Sequence, residues 1–243
     1  MVLTKALEAY AKYFKWISVL VLPVGMVIGL LLWGIMSTEN HELSILISFN
    51  IPGWLLSPLW IGPLLYCLSW LDSGQEFRYQ TIIANGLKPW WKLLIIPVII
   101  IGFKYLAALG TQWVPEYGRL VWALLLLIGA VIGIRYIFIF PVLALEEYNL
   151  IQVWHRCASL SKGKRLSMFF ELIALWLLLY VTVFIITMLL GMAANLGPGI
   201  VSTFIYFIVV SGIIYPLGHA LIIVWIYYGY REHANGEDCN LAG

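Results

Sequence analysis

Apolar residues run along this chain for twenty or more positions at a time, broken only by short polar intervals. Crossing the hydrocarbon of a bilayer takes a helix of roughly 20 such residues. Six stretches qualify: 16–36, 51–71, 91–112, 120–145, 168–192 and 199–229. The third is the weakest, because Lys104 interrupts it. The runs do not alternate apolar and polar positions, and they exceed the roughly 10-residue strands of a membrane barrel. Lipid offers backbone groups no partner, so such runs close their own hydrogen bonds as helices. The pattern predicts an all-α, polytopic integral membrane protein: six transmembrane helices in one membrane domain, residues 1–243.

Three of the intervals have a helical period of their own. In "LTKALEAYAKYFKW", Leu3, Leu7, Tyr10 and Phe14 share one face, with Lys5, Glu8, Lys12 and Lys15 opposite. In "EFRYQTIIANGLKPWW", Tyr79, Ile83 and Trp90 face one way, and Gly86 and Pro89 close the segment. In "EEYNLIQVWHRCASLSKGKR" (146–165), Leu150, Trp154, Cys157, Ala158 and Ser161 line one face. Glu146 and Glu147 would sit in its first turn, where carboxylates suit the helix dipole. Gly163 is a C-terminal stop signal, and Lys162, Lys164 and Arg165 gather around it. These segments read as amphipathic helices in the membrane surface, with Arg156, Lys162, Lys164 and Arg165 set to meet anionic phospholipid headgroups.

Each surface segment precedes a pair of spans, which suggests a unit used three times. "WISVLVLP" (Trp16 to Pro23) matches "WWKLLIIP" (Trp90 to Pro97) in spacing. Pro63, Pro141 and Pro216 recur in the even-numbered spans, 78 and 75 residues apart, and each should kink its helix. The repeats run parallel, so inverted-repeat transporter logic does not apply directly.

Charge sets the expected orientation. Only Arg119 lies in the intervals on one side. The other side collects Lys5, Lys12, Lys15, Arg78, Lys88, Lys92, Arg156, Lys162, Lys164, Arg165 and Arg231. By the positive-inside rule both termini are cytoplasmic. Cys67, Cys157 and Cys239 then fall at or near the reducing side, and no structural disulfide is expected. The run from Trp16 to Met36 is too long for a signal-peptide core and lacks a small-residue cleavage site, so it reads as a retained span. Charged residues make up 11% of the chain, against about 25% in a soluble domain. A net charge of +2 gives no concentrated basic face for nucleic acid.

Ionisable residues inside spans are costly and are functional candidates by default. They are Lys104, Arg135, Glu171 and His219. Arg135 lies about 15 Å from the end of its span at about 1.5 Å per residue. It could meet Glu171, or the Ile137 carbonyl freed by Pro141. The bland reading is a structural pair between neighbouring helices; the sharp one is a gate or ion site. His219 suits a hydrogen-bonded packing role better than haem ligation, which usually wants a second axial ligand. His41, His155 and His233 all lie outside span depth. No cofactor or metal is expected: "TENHEL" (38–43) is not a zinc-protease motif. "SKGKR" lacks the glycine and the Ser or Thr of a phosphate loop. "GPG" at 197–199 is a turn signal. No nucleophile–base set stands out.

The block "RYIFIFPVLALEEYNLIQVWHRCASLSKGKR" resembles a signature of bacterial six-span YciC-like membrane proteins, and of the related membrane domain of some glycerophosphoryl diester phosphodiesterases. The matching positions are Arg135, Pro141, Glu146, Glu147, Ser159, Leu160, Ser161, Lys162 and Gly163. "YYGYREHANGED" (227–238) is similar to the family's aromatic-Arg-Glu close. The resemblance implies a six-helix fold in the bacterial inner membrane and no agreed activity; the phosphodiesterase catalytic domain is absent. The expected role is a non-enzymatic scaffold or accessory subunit that binds lipid or another membrane protein, given a surface rich in aromatic side chains. The alternative is a small transporter or channel with a polar path through Arg135, Glu171 and His219. A lipid-modifying enzyme is the weakest reading, for want of a clustered nucleophile or metal set.

Overall fold

The structure, a computed structural model, describes residues 2–37, 51–113, 118–194 and 204–241. Among these residues every regular element is helical. In chain order they are α1 (Val2–Ser37), α2 (Ile51–Leu56), α3 (Pro58–Asp72), α4 (Tyr79–Gly86), α5 (Trp90–Trp113), α6 (Gly118–Arg135), α7 (Ile139–Leu145), α8 (Leu150–Leu160) and α9 (Arg165–Ala194). A π-helical segment, Phe207–Ile214, then leads into α10 (Tyr215–Leu241). Five stretches are long and apolar enough to cross a membrane: Val2–Met36, Ile51–Asp72, Leu127–Leu145, Arg165–Leu189 and Phe204–Ala234. A sixth arises if α4 and the first part of α5, bent by 58° at Leu87–Pro89, count as one span. The "TENHEL" stretch, "GPG" and the start of the last expected span lie outside the described residues, as do the side chains of Lys104, Arg119 and Cys239.

The core sits where α1, α3, α7 and α10 meet. Ile17, Leu20 and Val21 of α1 pack there with Leu64, Leu65 and Leu68 of α3, Val142 and Leu143 of α7, and Val224 and Trp225 of α10. Two glycine contacts let the backbones approach. Gly25 and Gly29, spaced as Gly-x-x-x-Gly on α1, face the π segment. A Cβ on Gly25 would overlap the Gly212 carbonyl oxygen and the Pro216 ring, and one on Gly29 would lie 2.9 Å from the Phe207 carbonyl oxygen. In α3, a Cβ on Gly62 would overlap the Gly86 carbonyl of α4, and one on Gly86 the Pro63 backbone. Small residues at such crossings give membrane helices their tightest van der Waals contact.

The π segment has a local cause. Pro216 carries no N–H and its ring crowds the preceding turn. The Tyr215 N–H reaches back five residues to the Val210 carbonyl. The wider turn carries Gly212 onto α1.

Several expectations are corrected. The first surface segment is not separate: α1 is one helix of 36 residues, about 54 Å long at 1.5 Å per residue. No glycine or proline stands between Thr4 and Leu22 to end it. Its buried stripe is Ala6, Ala9 and Ile17, whose small leading residues admit α10, while Leu7 and Phe14 are exposed. In α4 the buried positions are Ile82 and Gly86; Tyr79 and Trp90 are exposed. The fourth span is broken at 136–138, before Pro141, whose ring cannot share space with the Ile137 carbonyl of a continuing helix. In α8 the buried face is Val153, Cys157 and Leu160, with Leu150 and Trp154 exposed. Glu146 and Glu147 precede that helix. Its cap is Asn149, in a reciprocal pair with Gln152 (2.9 and 3.1 Å), because the Asn149 side chain can accept from the N3 amide. Gly163, at φ +84°, does provide the expected stop after α8.

The termini of the elements alternate as an up-and-down bundle requires. Lys5 of α1 reaches Glu232 of α10, Arg231 of α10 reaches Asp72 at the end of α3, and Lys92 of α5 reaches the Tyr148 carbonyl beyond α7. The starts of α1, α5 and α9 and the ends of α3, α7 and α10 therefore share one end of the molecule.

If the glycine contacts set the backbone spacing, Gly25→Val and Gly62→Val should each cost about 2 kcal/mol or more by overpacking. Gly133→Ala, where a Cβ meets nothing within 4 Å, should change little. Unfolding of the purified protein in detergent under increasing denaturant measures all three.

Candidate functional site

Two features concentrate polar chemistry: the shared end of the bundle, and a cavity deeper in it. At the end, the sequence "YYGYRE" on α10 grips carboxylates from two other elements. Asp72 accepts from the Tyr228 hydroxyl (2.8 Å), from the Tyr227 hydroxyl (3.3 Å) and from Arg231 Nη1 (2.6 Å). Tyr227, Tyr228 and Arg231 fall within one helical turn, so all three can converge on one acid. Asp72 is 11% exposed. Removing such a carboxylate from water is costly unless donors replace the hydration shell, and here three do. Tyr230, on the other side of α10, donates to Glu146 Oε1 at 2.6 Å. Glu232 binds Lys5 Nζ (3.3 Å) and faces Lys164 Nζ (3.9 Å). The loop after α3 is held too: Trp70 Nε1 donates to the Glu76 carbonyl (2.8 Å), and Phe77 stacks on Trp16 of α1 with ring centroids 4.0 Å apart.

The four basic residues expected to meet headgroups divide by geometry. Lys162 and Lys164 are exposed. Arg165 is exposed but folds back as a C-terminal cap, Nε toward Ser161 Oγ and Nη2 toward the Ala158 carbonyl, both at 3.3 Å. Arg156 turns inward, its Nε 3.6 Å from Glu146 Oε2. Cys157 next to it is buried. That burial, with Glu146 nearby adding to it, pushes the thiol up to about 12. A group held so far toward the thiol is a packing residue and a poor nucleophile.

The intramembrane candidates occupy separate surroundings. Lys104 lies in α5, its side chain outside the described residues. Arg135 ends α6, where the helix breaks, and is exposed. Its guanidinium lies over the Tyr136 ring, 5.5 Å from the centroid, and its carbonyl accepts from Ser161 Oγ at 2.9 Å. That puts Arg135 at a helix break beside the end of α8, instead of within a continuous helix. Glu171 accepts from Trp225 Nε1 at 2.8 Å, not from Arg135. It borders a cavity of about 210 Å³ with Lys164, Ser167, Glu232 and His233. There His233 Nδ1 lies 2.6 Å from the Gly229 carbonyl, which fixes the proton on that nitrogen in the neutral ring.

His219 lies farther along α10 among aromatic rings, its centroid 5.6 Å from Tyr215, 6.0 Å from Trp176 and 6.5 Å from Trp54. It borders two cavities. The inner one, about 160 Å³, is a partly open cleft lined from α1, α2, α3, α7, α9, the π segment and α10, and includes Trp54, Ser57, Trp60, Phe140 and Ser211. The outer one, about 210 Å³, lies between α9 and α10 and includes Leu179, Val183, Phe184 and Thr187. Trp176, Tyr215 and His219 belong to both.

Among the described residues no group of three or more His, Cys, Asp or Glu could hold a metal ion. No protein-family model, curated protein or solved structure matches the chain.

Sequence reasoning singled out His219 and Glu171 but missed Asp72 and the tyrosines of α10. A signal was present: Asp72 is an acid closing an apolar run on the basic side, and "YYGYRE" puts hydroxyls and a guanidinium within one turn.

Asp72→Asn should destabilise the protein by about 2–3 kcal/mol, since it leaves Arg231 short of its counter-charge; Arg231 is half exposed, which keeps the loss below that of a fully buried pair. Tyr230→Phe should cost about 1 kcal/mol, a single hydrogen bond. Denaturant unfolding reads both. In the same samples Cys157 should resist maleimide at neutral pH until the protein unfolds.

Proposed function

We propose that the chain is a non-enzymatic, multi-pass accessory protein of a bacterial inner membrane, of the YciC-like kind, with six spans and both termini cytoplasmic. It works by contact: with anionic headgroups through Lys162 and Lys164, and with another membrane protein through α9.

The observation that carries this reading is the exposure of α9. In its most apolar 18-residue stretch 6% of positions are buried, against 56% for Ile51–Asp72. Leu177, Tyr180 and Leu189 are each more than 60% exposed. The core is complete without most of this helix, which touches the rest along Met168, Leu172, Leu175 and Leu179. Lipid alone can cover such a surface, but helix association in lipid rests on packing, and a helix held along one edge leaves the rest of its girth for a partner. The exposed Tyr180, Phe184 and Trp176 supply aromatic anchors of the kind that dominate interfaces. The transporter reading has less support, because Arg135, Glu171 and His219 have separate surroundings.

A photo-activatable amino acid at Tyr180 or Leu177, irradiated in cells, should give one discrete protein adduct; lipid adducts alone would sink the accessory role. Orientation has its own test. Ser73→Cys, on the exposed loop after α3, should react with a membrane-impermeant maleimide in inverted vesicles and stay silent in intact spheroplasts. The reverse pattern would place the termini outside.

A further inference from the structure

We infer that the paired cavities at His219 form a binding site for a neutral, ring-headed lipid of the quinone type, the ring in the inner chamber and the apolar chain leaving through the outer one.

Depth comes first. His219 lies about 18 Å along α10 from Arg231, at about 1.5 Å per residue. Arg231 belongs to the polar end, and the hydrocarbon is about 30 Å thick, so His219 falls near mid-membrane. A ligand there arrives from lipid. The outer chamber provides the route: it lies along α9, whose Tyr180 and Phe184 are largely exposed.

Size and chemistry then select the head. The inner chamber, about 160 Å³, is close to the roughly 150 Å³ apolar cavity that takes benzene. One six-membered ring with small substituents matches that volume. Trp54, Trp60, Phe140, Trp176 and Tyr215 give the chamber flat faces that suit a flat ring. His219 and Ser211 bring polar groups to its wall, enough to orient one ring oxygen, while the Ser57 hydroxyl already donates to the Trp54 carbonyl at 2.7 Å and keeps only acceptor capacity. No Lys or Arg is among the described lining residues, so a phosphate head would be stripped of water without a counter-charge. The shape of the chamber follows from the fold: the π segment, drawn onto Gly25, sets Ser211 and Tyr215 away from α2 and α3 and leaves the space between.

This goes beyond the accessory role and is tested separately from it. The full chain, in nanodiscs of quinone-free phosphatidylcholine, is titrated with a decyl-chain benzoquinone while tryptophan fluorescence is followed, with native mass spectrometry for stoichiometry. One saturable molecule per chain is expected. His219→Leu should weaken binding tenfold or more, and His219→Gln, which keeps a donor, should recover part of it. Val183→Phe, narrowing the outer chamber, should weaken the decyl compound and spare the methyl analogue. Unchanged thermal melting keeps misfolding apart from lost binding. The inference is overturned if the wild type binds none saturably, if His219→Leu binds as tightly, or if decanol competes as well as the quinone, which would mean that only a chain is recognised.

Discussion

The close crossing of α1 against the last span sets the rest of the architecture. In lipid, apolar side chains gain little by leaving one hydrocarbon surface for another, so helices associate through packing and polar contacts. Gly25 and Gly29 bring two backbones together as side chains would not allow. Once α1 and the π segment touch, α10 continues along α1 with its buried row of Ala220 to Tyr227, and α1 answers with Ala6, Ala9 and Ile17. Two helices aligned over that length bring the start of α1 and the end of α10 to the same place. There the chain keeps its charged network.

That network is confined to one end for an electrostatic reason. Asp72, Glu146 and Glu232 each have a cationic or hydroxyl partner from a different element. In the headgroup region a charge keeps part of its hydration, so such pairs cost less than they would at mid-membrane. Farther along α10, at the His219 cavity, the polar groups thin out to the His219 ring and the Ser57 and Ser211 hydroxyls among aromatic and aliphatic side chains. The gradient sorts the functional surfaces. The polar end locks helix ends together, while the cavity at His219 is lined mostly by aromatic and aliphatic side chains.

Much of the architecture was legible in the sequence. Spans 91–112 and 168–192 sit inside α5, Trp90–Trp113, and α9, Arg165–Ala194. Length and hydropathy fix such elements, because lipid permits one backbone solution. The faces were harder to read. Helical wheels placed Leu7 and Phe14 inward by size, yet Ala6 and Ala9 are the buried positions, since close approach favours the small residue over the large one. A hydropathy scale scores the large residue higher and so points the wrong way at a tight crossing. Pro141 was read as a kink, but here the helix stops and restarts. The chain can stop there because the backbone groups it frees find partners nearby: the Arg135 carbonyl accepts from Ser161 Oγ, 26 positions later in the chain. That partner is tertiary, and no local pattern announces it.

The same reasoning locates what is unusual about α9. A helix of thirty residues that packs along one edge, with Met168 and Leu175 its buried apolar positions among the described side chains, gains little from the bundle. Its place is secured at the polar end of the bundle, where Gly163 turns the chain, Arg165 caps α8 and Glu171 holds Trp225. Beyond Leu175, Leu179 lies over Gly218, where an added Cβ would come within 2.5 Å of its side chain, and the Trp176 ring meets His219. The helix is thus pinned at one end and lightly seated along the rest of its described length. The outer chamber lies along its seam with α10, so this lightly seated segment also borders the route to His219.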